Sequence, residues 1–155
     1  MIKRQIRIQR IVAVEQEFGA GRTAAKLLEK KLEADPSFGN AFGWRQRAGE
    51  DFDQNLEGTY IIRMYAEFEA ALRDYWKTHL GKSTYPKMVQ LVTQAIPDQH
   101  FPQDCIDNAD DVRIYRNFLV HDIEEEVPLD MSVFGIAEAK KHFCAFVACL
   151  SPKWK

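Results

Sequence analysis

At 155 residues, with 46% hydrophobic and 12% aromatic content, the chain has the length of one domain and enough apolar side chains for a full core, which excludes a disordered segment. A formal net charge of −2 excludes coating of nucleic acid by bulk electrostatics, so any such contact must be local. The three cysteines, Cys105, Cys144 and Cys149, form no Cys-x-x-Cys pair, which argues against a disulfide framework or a zinc ribbon and fits a reducing cytoplasm. The run from Ile11 to Val14 is too short for a signal-peptide core, and Phe143 to Leu150 is too short to span a bilayer, so no membrane is expected.

Residues 2 to 34 read as helix, anchored by Ile2, Ile6, Val12, Leu27, Leu28 and Leu32, with Gly19 and Gly21 expected to kink or divide it. Lys3, Arg7 and Arg10 share one helical face, which reads either as solvated or as a phosphate contact. Asp35-Pro36-Ser37 ends the helix. Residues 38 to 50, with three glycines, two phenylalanines, Trp44 and two arginines, predict an ordered loop packed by its aromatics. Trp44 beside Arg45 and Arg47 either packs that loop or stacks a base over a phosphate contact. Glu50, Asp51 and Asp53 read as an exposed loop end or a cation site.

The longest periodic stretch runs from about Asp53 to Leu80. Leu56, Tyr60, Met64, Phe68, Leu72 and Trp76 recur every four residues, widened by Ile61, Tyr65 and Tyr75, which predicts the central core helix. Glu69 and Arg73 make an i,i+4 pair, and His79-Leu80-Gly81 supplies a cation and a glycine at its end. Ser83 or Thr84 should cap a short helix through about Ala95, burying Met88, Leu91, Val92 and Ile96, before Pro97 and Pro102 force a loop.

A helix is next expected from Asp107 or Asn108 to Ile123, with Asp110 and Asp111 in its first turn. Val112, Ile114, Tyr115, Phe118, Leu119 and Ile123 are assigned to its buried half, and Asp110, Arg113, Arg116, Asn117 and His121 to its polar half. Val120 is an apolar residue on the polar strip and asks for a partner surface. Glu124 to Glu126 and Pro128 end the helix. A last helix from about Met131 to Leu150 should bury Val133, Phe134, Phe143, Phe146, Val147 and Leu150 before Pro152. Four-residue repeats without alternating strand patterns predict a single all-α domain, an up-and-down bundle of four or five helices.

Chemistry concentrates in Arg116-Asn117-x-x-x-His121. Histidine, with an unperturbed pKa of about 6.5, exchanges a proton near neutrality. Arginine offers a planar fork of donors matched to phosphate, and asparagine can orient either by hydrogen bonding. Together they suffice for RNA cleavage by the ribose 2′-hydroxyl: His121 acts as general base and Arg116 steadies the phosphoryl oxygens, with no metal or cofactor. Arg113 and Asp110 are the neighbours expected at the substrate. The same residues are open to a bland reading, in which Arg116 pairs with Asp110 or another acidic neighbour, His121 caps the helix C-terminus, and the protein binds rather than cuts.

The Arg-Asn-x-x-x-His spacing on a late helix of a small helical chain resembles the HEPN superfamily, whose motif is Arg-x(4 to 6)-His, commonly with a polar residue after the arginine. Phe68-Glu69 on the central helix also resembles HEPN sequences. The resemblance implies a HEPN-like bundle and a metal-independent endoribonuclease whose two motifs face each other across a symmetric homodimer, with Val120 at the interface. It also implies roles in RNA processing, defence or toxin activity with an antitoxin or other partner protein. The alternative is a non-catalytic member binding RNA, a nucleotide or a partner protein.

Overall fold

The computed structural model describes residues 3–44, 48–121, 128 and 130–154. Four long helices dominate: α1 (Lys3–Ala34), α3 (Ala48–Asp74), α5 (Gln103–His121) and α6 (Ile136–Cys149). Two short ones, α2 (Ser37–Asn40) and α4 (Met88–Gln90), sit in the connections, and no strand occurs among the described residues. Wide π-helical turns extend α3 over Tyr75–His79 and α4 over Leu91–Ala95. The predicted all-α bundle is present. Among the described residues no helix is long and apolar enough to cross a membrane.

Side-chain pairs give the helix directions. Arg7 with Asp74 and Arg63 with Glu17 run α1 antiparallel to α3. Gly58 against Leu119 and Tyr65 against Arg116 run α5 antiparallel to α3. Glu57 with Ile136 and Phe68 with Phe146 make α6 parallel to α3. Successive long helices therefore alternate, α1 and α5 each pack on both α3 and α6, and the parallel pair forms the diagonal of the bundle.

That diagonal is aromatic. Phe68 stacks on Phe143 with centroids 4.3 Å apart and planes 13° from parallel, while Phe146 meets Phe68 edge-on at 5.4 Å. All three are completely buried. Ile61, Met64, Leu72, Val112, Ala139 and Val147 close the core around them. Trp154 is also fully buried, edge-on to Tyr75 at 5.3 Å, with its Nε1 donating to Thr78 Oγ1. Packing thus continues past Pro152, beyond the last expected anchor.

Several expectations change. Helix α1 runs unbroken through Gly19 and Gly21, and packing on α3, where Gly21 faces Leu56 and Tyr60, carries the helix across both glycines. Lys3 and Arg7 reach Asp74 at 3.6 and 3.0 Å and Arg10 reaches Glu67 at 4.0 Å, so this basic face is a seam between helices. Helix α5 begins at Gln103, not Asp107: Pro102 O accepts from Ile106 N, and Cys105 and Ile106 are buried, so core packing pulls one more turn into the helix. Helix α4 begins at Met88, where Gln90 Oε1 accepts from Lys87 N, instead of at Ser83 or Thr84. Helix α6 begins at Ile136 because Glu57 of α3 accepts from the Ile136 amide at 2.8 Å. Leu27, Ile114 and Val133, expected inside, are exposed. Ile2, Arg45, Arg47, Ile123 and Glu124 to Glu126 lie outside the described residues.

Replacing Phe143 by Ala removes one ring of the stacked pair and should cost about 3–5 kcal/mol in urea unfolding. Leu27→Ala, at an exposed site, should stay within about 0.5 kcal/mol.

Candidate functional site on the motif helix

Helix α5 is held against α3 and α6 by Val112, Tyr115 and Phe118, all buried. These three set its rotation about its own axis. They turn Arg116 toward the seam with α3 and leave Asn117 at the rim and His121, the last residue of the helix, exposed.

Arg116 lies with its guanidinium carbon 4.8 Å from the centroid of the Tyr65 ring. Its NH1 donates to Asn117 Oδ1 at 3.2 Å, and its Nε is buried without a hydrogen-bond partner. Among the described residues no carboxylate lies within ion-pair distance of Arg116. The expected neutralising pair with Asp110 belongs instead to Arg113, which donates to both Asp110 oxygens, at 2.5 and 3.2 Å. That bidentate contact raises the Arg113 pKa and occupies the fork.

Tyr65 is the residue that sequence reading missed. Its place in the stripe from Leu56 to Trp76 marks it as core, and it is 4% exposed. It is also the floor under Arg116. Burial, followed by the charge of Glu69, pushes its phenol up to about 12, against the opposing effect of Arg116, Arg113 and Arg73. The charges of three arginines and of Glu69 are thus felt at one buried ring. Nothing in a single helix pattern indicates this, because the arginines come from two helices.

The hydrogen bonds of the site join Arg116 to Asn117 and Arg113 to Asp110; none among the described residues joins His121 to them. Asn117 and His121 are one turn apart on α5 and share its outer surface. Ile114, 41% exposed, and Val120, 37% exposed, sit three residues either side of Asn117. The outer surface of the motif helix is therefore a polar pair between two apolar side chains. Asn117 and His121 face out, whereas Arg116 reaches the same rim from the seam.

The raised Tyr65 pKa has a signed consequence for stability. The unfolded phenol ionises near pH 10 and the folded one near 12, so the contribution is complete below pH 10 and is lost as pH rises from about 10 to 12. Tyr65→Phe should flatten that part of the stability profile, measured by urea unfolding between pH 9 and about 11.5. A parallel decline in wild type and variant would contradict the assignment. No protein-family model, curated protein or solved structure matches the chain.

Proposed function

We propose that the chain is a metal-independent endoribonuclease of the HEPN type, working as a homodimer in which two copies of Arg116, Asn117 and His121 face each other. The observation that supports it best is the outer surface of α5, where Asn117 and the exposed His121 are flanked by Ile114 and Val120. Two exposed apolar residues beside a polar motif are suited to a second copy, and a two-fold axis would bring a second His121 to the first. Arg116, with no carboxylate partner among the described residues, retains charge for a phosphate.

In this reading His121 of one copy takes the proton from the ribose 2′-hydroxyl. The oxygen attacks the adjacent phosphorus, Arg116 stabilises the charge on the phosphoryl oxygens, and His121 of the second copy gives a proton to the departing 5′-oxygen. The products are a 2′,3′-cyclic phosphate and a free 5′-hydroxyl. Asn117 holds the Arg116 guanidinium through its Oδ1.

A binding module for RNA, a nucleotide or a partner protein is the second reading. It is favoured by the placement of Arg116 over Tyr65, since a guanidinium fixed by stacking and by Asn117 binds an anion without a reaction.

Purified protein should cut single-stranded RNA in EDTA and leave 2′,3′-cyclic ends. His121→Ala should lower the rate by roughly 10²- to 10⁴-fold while the fold is kept, because the residue is exposed. Arg116→Ala should fall at least as far, and Arg116→Lys should not restore full activity, since an ammonium lacks the planar fork. Equal, negligible cleavage by wild type and His121→Ala, with RNA binding still dependent on Arg116, would establish the binding module. Val120→Asp should shift the mass measured by light scattering from dimer toward monomer, because a charge would be buried unpaired; a monomeric wild type at tens of micromolar removes the two-fold site.

A further inference from the structure

Tyr85 is 79% exposed, the most open of the large hydrophobic side chains, yet its surroundings are tightly organised. The Arg73 guanidinium carbon lies 3.7 Å from the centroid of its ring. Arg73 is in turn fixed by Glu69 Oε1 at 2.7 Å and donates to Pro86 O at 3.2 Å. Trp76 Nε1 donates to Thr84 O at 3.1 Å. The backbone on both sides of Tyr85 is therefore tied to the last turns of α3. A tyrosine needed only for packing would turn its ring inward; here the loop holds one face on a guanidinium and leaves the rest to solvent.

We infer that Tyr85, backed by Arg73, is a base-stacking platform for single-stranded RNA on the strand path that leads to Arg116. The inference rests on the RNA reading above and adds a subsite to it. Tyr65 and Arg73 stand eight residues apart on α3, about 12 Å along the helix at ~1.5 Å per residue. A stacked strand at ~3.4 Å per nucleotide covers that separation with roughly three to four nucleotides. Arg116, over Tyr65, meets a phosphate at one end, and Tyr85, over Arg73, meets a base at the other. An aromatic face accepts any base, so this subsite supplies affinity and register rather than base identity. The cation beneath the ring fixes the ring plane and thereby lowers the ordering cost of stacking.

The test is fluorescence anisotropy with a fluorescein-labelled 12-nucleotide single strand carrying 2′-O-methyl riboses, which binds without being cut. Tyr85→Ala should weaken binding roughly 5- to 100-fold, the range for loss of one stacked base. Tyr85→Phe, which keeps the face, should stay within about twofold of wild type, and melting temperatures should be unchanged because the side chain is exposed. On a fully abasic strand of the same length the difference between wild type and Tyr85→Ala should disappear. Equal binding by wild type and Tyr85→Ala overturns the platform, as does a wild type that does not bind the strand or a loss that persists on the abasic strand. Tyr85-dependent binding without any cleavage of unmodified RNA removes the nuclease reading and leaves the platform in place.

Discussion

The face-to-face contact of Phe68 with Phe143 is the constraint on which the rest of the bundle depends. It fixes the diagonal pair α3 and α6 in parallel, and only then can α1 and α5 fill the two remaining corners, each touching both members of the pair. Burial of three aromatic rings at one level gives a large apolar contribution together with a specific ring geometry. A stack admits few alternative rotations, so it sets the register of α6 on α3 more sharply than leucine packing would. Glu57 can reach the Ile136 amide because of that register, and α6 begins there.

Charge is arranged to follow the same frame. The basic N-terminal turns of α1 are matched by Asp74 and Glu67 on α3, and Arg4 donates to the carbonyls of Ala148 and Leu150 at the end of α6. Lys140 of α6 reaches back to Glu15 of α1 at 2.7 Å. Each contact is partly exposed and individually weak, but together they engage the cations in the first turns of α1. On the α5 side of α3, Arg73 is committed to Glu69 and Arg113 to Asp110, which leaves Arg116, over Tyr65, as the arginine of this group with no carboxylate partner among the described residues. A chain with a net charge of −2 can present a local anion site only by such segregation.

On that side the chemistry divides into a fixed part and an open part. Arg116, held by Tyr65 and Asn117, has lost much of its side-chain freedom before any ligand arrives, which favours phosphate binding by lowering the ordering cost. His121 stands at the end of the helix and in solvent, ready to meet a substrate or a second copy. In the proposed homodimer, this open position is where a second copy would complete the site.

Helical periodicity was sufficient for the fold class, for α3 and for the motif helix, because a four-residue apolar repeat identifies a helix and its buried stripe without knowledge of the partner. It was insufficient for Ile114, Leu27 and Val133, whose exposure depends on where neighbouring helices end, and for the start of α6, whose cap comes from Glu57, 79 residues earlier in the chain. Gly21 illustrates the same limit: glycine weakens an isolated helix, but here packing against Leu56 and Tyr60 of α3 keeps α1 continuous. Arg116, Asn117 and His121 were legible as a group because the types and spacing that phosphate chemistry needs are local. Their division into a stacked arginine and an exposed histidine was decided by tertiary structure, since the rotation of α5 is set by Val112, Tyr115 and Phe118 against two other helices. The placement of Tyr65 and Tyr85 under guanidiniums was invisible for a related reason. An aromatic ring acquires its role from the cation packed on its face, and Arg116 and Arg73 are brought there by the packing of α5 on α3 and by the return of the loop onto the end of α3.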